Sequence, residues 1–393
     1  MKRILIFSAL LLSLTGLQAQ QNDIQSVLLS VEKNNKELQS IVQLTQSQKL
    51  EDKAENNLSD PSVSYAHLWK AEDKSQTIGE LVVSQSFDFP TLYASRHRLN
   101  QLKANSYDHE TELMRQGILL EAKELCLDII MLEQQQELLR ERLDNAQRLE
   151  AVYAKRLATG DANVIETNKI KLELLNVKTE FNLNETNLRN KQELLRALNG
   201  DQPVDFSGKS YPLITLPNDF QQLRAEVIGS SRLLHSLNSQ SLVARKQIQV
   251  NRSQWLPKFE LGYRRNTESG APFNGVVVGF SVPLFNNRHK VKQAKTQAIS
   301  QEMKKEGETL KLESELNQLY REAQSLQKSI QEYQTLFSSQ QNLDLLQQAL
   351  TGGQISVIEY FTEVTVIFQS RQNLLTLENQ YQKAMAKLYK DRL

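Results

Sequence analysis

Leu157-Ala158-Thr159-Gly160-Asp161-Ala162-Asn163-Val164-Ile165-Glu166 returns as Leu350-Thr351-Gly352-Gly353-Gln354-Ile355-Ser356-Val357-Ile358-Glu359, 193 residues further on. Each copy ends a helix-forming run at a glycine and opens the next with a capping residue, Asn163 or Ser356, followed three residues later by a glutamate. Glycine accepts the left-handed backbone that stops a helix, and the capping residue with its glutamate starts the following one. Each copy is therefore a helical hairpin turn, and the chain is an internal duplication. Phe89-Pro90 maps onto Val282-Pro283 at the same offset, and Pro61 onto Pro257 at 196, a difference absorbed in the intervening turns.

Proline placement sorts the rest. All eight prolines fall in three zones, 57–90, 200–217 and 256–285, and proline is excluded from helix interiors. Between the zones the sequence is rich in Gln, Glu, Lys, Leu and Ala, strong helix formers. Ile118, Leu125, Leu132, Leu139, Ala146 and Tyr153 recur every seven residues, as do Leu312, Leu319, Leu326 and Tyr333. Sustained heptads mean helices packed along their length. From Thr91 to about Ala158 only Gly117 interrupts, so one helix of roughly 100 Å is expected at about 1.5 Å per residue.

Two of the proline zones alternate with period two instead. Val63, Tyr65 and Trp69 oppose Ser62, Ser64 and Ala66. Leu81, Val83, Phe87 and Phe89 oppose Glu80, Ser84, Ser86 and Asp88, with Val82 and Gln85 out of phase. Phe259, Leu261 and Tyr263 oppose Lys258, Glu260 and Arg264. Val276, Val278, Phe280, Val282 and Leu284 oppose Gly275, Gly279 and Ser281. These are four strands, about 62–69, 79–89, 258–265 and 274–284, in two hairpins with turns near Lys70–Ile78 and Asn266–Phe273. Their length and alternation match strands of a membrane barrel in preference to the alternative, two hairpins lying on a soluble core. Four strands cannot close a barrel, whereas three copies give twelve; two or four copies would close as well.

The resulting division is a signal peptide over 1–20, a first repeat over 21–199, a linker over 200–216 and a second repeat over 217–393. The signal reading rests on Lys2-Arg3, the apolar run Ile4 to Leu14 and Leu17-Gln18-Ala19, with cleavage expected after Ala19 or Gln20. Beyond it no run of 18 apolar residues occurs, so any membrane entry is by strands. The 47 basic and 46 acidic residues give a net charge of +1, which argues against nucleic-acid binding. The single cysteine, Cys126, excludes an intrachain disulfide and reads as a small buried hydrophobe. His67, His97, His109, His235 and His289 have no metal-ligand spacing, and no phosphate loop or nucleophile motif appears, so neither an enzyme nor a cofactor is expected.

The duplicated layout, the strand pairs ending at Phe89-Pro90 and Val282-Pro283-Leu284-Phe285, and the paired glycine turns resemble the TolC family of outer-membrane efflux ducts. The resemblance covers essentially the whole mature chain. It implies a mainly helical homotrimer with a twelve-stranded β-barrel in the outer membrane and a twelve-helix periplasmic tunnel. It also implies a periplasmic adaptor that joins the duct to an inner-membrane pump of RND or ABC type. Carried onto this chain, the adaptor-docking tips are Thr159, Gly160 and Asp161 in one repeat and Gly352, Gly353 and Gln354 in the other. Where the family often has an aspartate six residues after the tip glycine, this chain has Glu166 and Glu359, carboxylates for an acidic ring at the tunnel mouth. The competing classes are a periplasmic adaptor, which carries one hairpin flanked by several β domains, and a surface coiled-coil protein.

Overall fold

The computed structural model describes residues 23–73, 75–268, 271–338 and 342–393, leaving aside the side chains of Asn342 and Asp344. The signal peptide reading lies outside the described residues. The order of elements follows the duplication. Helix α1 (23–34), α2 (Lys36–Ala54), strands β1 (Ser62–Trp69) and β2 (Thr77–Phe87), α3 (Pro90–Thr159) and α4 (Val164–Leu198) come from the first half. Helices α5 (Phe220–Ser230) and α6 (Arg232–Ser253), strands β3 (Lys258–Glu268) and β4 (Ala271–Ser281), and helices α7 (Lys290–Ser338), α8 (Asn342–Thr351) and α9 (Val357–Leu388) come from the second. Helix α3 has 70 residues, about 105 Å of contour at 1.5 Å per residue, and passes Gly117 without a break.

Two compact units emerge, and neither coincides with a repeat. One comprises the N-terminal residues to Gln39, Met114–Ser230 and Leu312–Leu393; the other comprises Ser40–Leu113 and Ser231–Lys311. Each unit draws on both halves, because the apolar seams pair helices of one repeat with helices of the other.

In the first unit the heptad of α3 is core throughout: Ile118, Leu125, Leu132, Leu139, Ala146 and Tyr153 are all buried. On α7 the buried line is Leu312, Leu316, Tyr320, Ala323, Leu326 and Ile330, with Leu319 and Tyr333 half-buried beside it. Several polar residues inside this core are matched. Asp128 takes Lys191 of α4 at 2.9 Å and Lys383 of α9 at 2.5 Å. Arg142 reaches Glu173 at 2.6 Å and Glu180 at 3.0 Å across the α3–α4 hairpin. Asn184 and Asn379 donate to the α3 carbonyls of Leu132 and Leu127. Cys126 is fully buried and its thiol is pushed up to about 12 by burial and by Asp23.

The end of α4 is received at the break between α1 and α2. Asn35 caps α2 by accepting from the Leu38 amide at 2.7 Å and donates to the Leu198 carbonyl, also at 2.7 Å. Ser30 and Asn34 donate to Asn199, which is fully buried. The chain then turns through Gly200 at φ +66° and Asp201 at φ +63°. A Cβ on Gly200 would be driven into the carbonyl of Asn34.

In the second unit β1-β2-β3-β4 form one antiparallel sheet. The two hairpins are joined by β2 against β3, from Ile78 opposite Glu268 to Phe87 opposite Phe259. The second hairpin reaches further into its turn than the alternation indicates. Asn266 pairs with Phe273, Thr267 with Pro272 and Glu268 with Ala271, and β4 ends at Ser281 instead of Leu284. Backbone pairing continues there after the apolar alternation has stopped, and a pattern of side chains cannot record it. At the helical end of the sheet Asp88 binds Arg96 of α3 at 2.7 Å and Lys258 of β3 at 3.1 Å, fixing the strand-to-helix corner.

Gly200→Ala should lower the unfolding midpoint of the purified protein by the equivalent of at least about 1–2 kcal/mol, since a left-handed residue with a Cβ is strained before any clash is counted. Gly229→Ala, in α5 with nothing within 4 Å of the added carbon, should be neutral or stabilising by about 0.5–1 kcal/mol. Thermal melts followed by helical circular dichroism compare the two; equal midpoints would remove the role given to Gly200.

Candidate docking tips of the helical hairpins

Both hairpin turns adopt the same hydrogen-bonded stop. Gly160 has φ +83° and Gly353 φ +71°. The Asp161 amide donates to the Arg156 carbonyl at 2.8 Å and Gly160 to Leu157 at 3.2 Å; Gln354 donates to Ala349 at 2.9 Å and Gly353 to Leu350 at 3.2 Å. These are the two bonds of a Schellman motif, which satisfies the last free carbonyls of a helix. Thr159 Oγ1 donates to Asp161 Oδ2 at 2.6 Å. Thr159, Gly160, Asp161, Gly352, Gly353 and Gln354 are all exposed.

The following helices begin with reciprocal capping boxes. Asn163 accepts from the amides of Ile165 at 2.6 Å and Glu166 at 3.2 Å, while its own amide donates to Glu166 Oε2 at 3.4 Å. Ser356 Oγ accepts from the Glu359 amide at 3.2 Å, and the Ser356 amide donates to Glu359 Oε2 at 2.7 Å. One oxygen of each glutamate is thus committed to its own helix start. The hydrogen bonds from Ser356 hold the Glu359 carboxyl below its ordinary value of 4.5.

The two turns rest on one apolar cluster. Tyr153 and Ile170 of the first hairpin pack with Leu350, Val357, Tyr360, Phe361, Val364 and Phe368 of the second, and Ala162 and Ile355 lie against them. Asn145 donates to the Tyr360 hydroxyl at 2.9 Å. Equivalent positions then differ in a way the repeat pattern hides. Val357 is buried at 3%, whereas its counterpart Val164 is 59% exposed; Ile165 and Ile358 are both exposed. Val164, Ile165 and Ile358 thus leave apolar surface exposed at the tips. They stand inside the duplicated stretch, where the identity of the copies masked the difference between them.

As pH falls, the cap at Ser356 should weaken. Glu359 is depressed in the folded protein, so its contribution is present above the unfolded pKa and is lost as pH drops through the folded value. Hydrogen-exchange protection of the first turn of α9, corrected for intrinsic rates, should decline below about pH 4.3. Glu359→Gln should show no such decline; an equal decline in that variant would assign the effect elsewhere.

Residues 224–390 match the family model described as outer membrane efflux protein. No curated protein matches the chain in sequence. Among solved structures, a membrane protein from Pseudomonas aeruginosa superposes with a TM-score of 0.80 at 14% identity, covering 94% of this chain and 92% of that one. The outer membrane protein VceC from Vibrio cholerae gives 0.76 at 15% identity, with 94% and 97% covered. The Campylobacter jejuni outer membrane channel CmeC gives 0.73 at 14%, with 94% and 85% covered. At such identities the likeness shows a shared fold, and that fold has two capped hairpins and one four-stranded sheet, not the single hairpin between β domains expected of an adaptor. Residues 224–390 are thus similar in sequence to the outer membrane efflux proteins, and the chain as a whole shares the fold of these outer membrane proteins.

Proposed function

We propose that the chain is the outer-membrane channel of a tripartite efflux or type I secretion system: a homotrimeric, passive exit duct for small molecules or metal ions across periplasm and outer membrane. The observation that carries this reading is the two-faced sheet with unpaired edges. Cross-strand register puts Val63, Val83, Tyr263 and Val276 in one row, Leu261 and Val278 in the next and Phe87, Phe259 and Phe280 in a third, all on one face. On the other lie Ser62, Ser64, Glu80, Ser84, Ser86, Lys258, Glu260, Arg264 and Asn266. Val276, Val278 and Phe280 are each more than 70% exposed, an apolar surface unsuited to water. Gln85, out of phase on that face, has its amide bound to the Ser59 carbonyl.

Strands of 11 residues rise about 28 Å when tilted by about 40°, close to the height of a membrane barrel's apolar band. Strands β1 and β4 each have one open edge, and lipid offers no hydrogen bonds to such an edge. Further copies of the chain supply the missing partners, and three give twelve strands. Among the described residues no helix is long and apolar enough to cross a membrane, which leaves the sheet as the spanning element. The helical part then lies in the periplasm, and the tips Thr159–Asp161 and Gly352–Gln354 meet the adaptor that links the duct to an RND or ABC pump. Glu166 and Glu359 contribute to an acidic ring at the tunnel mouth with the carboxylate oxygens left free by the caps.

Extraction of the outer membrane should require detergent and yield a species of three times the chain mass; a monomer released from the periplasm without detergent would overturn the reading. Gly160→Val with Gly353→Val should abolish export and leave that trimer in the membrane. No neighbour crowds either position, but the backbone there is left-handed, so a β-branched residue reshapes the turn and little else. Export at the normal rate in the double variant would end the docking assignment.

A further inference from the structure

Consecutive arginines of β3 lie on opposite faces of the sheet and are treated differently. Arg264, on the polar face, is paired with Glu80 at 2.7 Å. Arg265, on the apolar face, stands opposite Leu81 on one side and Asn274 on the other. It is exposed, and among the described residues no acidic side chain reaches it. Every Asp or Glu within the strands (Glu80, Glu260, Glu268) lies on the other face, so Arg265 is a lone positive charge on an otherwise uncharged surface.

Its position along the strands is not arbitrary. Below it, toward the helices, come the apolar rows of Val83 and Tyr263, Leu261 and Val278, and Phe259 and Phe280. Above it on this face lie Thr267 and Pro272 with Gly79 and His67, then Thr77 and the exposed Trp69, whose amphipathic indole suits a membrane interface. A charge facing lipid is tolerated at the interface and costly at the midplane, so Arg265 marks the upper limit of the hydrocarbon contact. Its opposite residue adds a second donor. Tyr263 donates its hydroxyl to Asn274 Oδ1 at 2.6 Å, which engages the amide oxygen and leaves the Nδ2 hydrogens of this exposed residue as donors in the row of Arg265.

We propose that Arg265, with Asn274, binds the phosphate of a lipid headgroup in the leaflet at the turn end of the barrel. The inference rests on the barrel reading, which sets this face against lipid and the turns away from the periplasm. A guanidinium fork presents paired donors that match phosphate oxygens, the amide supplies a further donor, and the apolar rows beneath accept the acyl chains. A lipid satisfies both parts at once, whereas free phosphate satisfies only the first.

The test reconstitutes the full chain into vesicles of phosphatidylcholine mixed with phosphatidylglycerol, extracts it gently and quantifies retained lipid by mass spectrometry. The wild type should retain phosphatidylglycerol several-fold over its share of the mixture. Arg265→Gln should bring retention down to the bulk ratio, Asn274→Leu should lower it partly, and Arg264→Gln should leave it unchanged. Excess inorganic phosphate should not displace the lipid; displacement by phosphate alone, or equal enrichment in Arg265→Gln, overturns the proposal. Alkaline washing separates the two readings. A protein stripped from the vesicles sinks the barrel and this site with it, while one that stays inserted without enrichment sinks only the site.

Discussion

The pairing of β2 with β3 is the interaction on which the rest of this structure depends. It joins strands some 180 residues apart, one from each repeat, over ten residue pairs. Once that register is set, every side chain of both hairpins is assigned to a face, because strand residues alternate strictly. A slip by one position would turn the second hairpin over against the first, bringing Glu260 and Arg264 to the face of Leu81 and Val83 and setting Leu261 and Val278 beside Ser84 and Ser86. The register is held at its helical end by Asp88, which binds Arg96 and Lys258 and so ties the first strand pair to the second. With the centre of the sheet occupied by this pairing, the unsatisfied backbone is left at its two margins.

The hairpin tips follow a similar economy. A long helix that reverses leaves free carbonyls at its end and free amides at the start of its successor. Here the chain settles both within about ten residues, by a glycine in the left-handed region and a capping box, and uses the same two devices at both turns. The copies then diverge in what surrounds them. Val357 sits in the cluster with Tyr360 and Phe361, and Val164 at the corresponding place is bare. The two turns share their geometry, which is a local property of the backbone, and differ in the exposure of the side chains around it. A partner that touches both tips therefore meets two chemically distinct surfaces mounted on one geometry.

Much of this was legible in the sequence, and the reasons are local. Gly160, Gly353, Asn163 and Ser356 declare the turns because left-handed φ and helix caps are demands that few residues meet. The heptad of α3 declares its buried face because a long helix offers one seam. The strand ends were less legible: Asn266–Glu268 and Ala271–Phe273 extend the second hairpin through backbone bonds that leave no alternation behind. The compact units were not legible at all. They arise from contacts such as Lys383 to Asp128 and Asn379 to Leu127, which join segments about 250 residues apart and belong to no repeat. The linker gave only its prolines and glycines, while the amide network of Asn34, Asn35 and Asn199 that anchors its start depends on a helix break at Asn35 that no signal in the sequence marked.

Two surfaces in different units make the same demand. In the sheet, β1 and β4 present backbone donors and acceptors with no partner strand. On α4, Leu172, Leu175, Leu183 and Leu194 are each more than half exposed, at spacings of three, eight and eleven that keep them on one stripe of the helix. A solvated helix does not sustain such a stripe, and a sheet placed in lipid, as proposed, does not tolerate bare edges. The first lacks side-chain contacts and the second lacks hydrogen bonds, so no single repacking of one chain answers both. In the proposed trimer, copies of the same chain answer each demand by itself, giving β1 a neighbouring β4 and α4 a neighbouring helix. On that proposal, the oligomer is the smallest unit in which the sequence's own pattern of apolar and polar residues is satisfied.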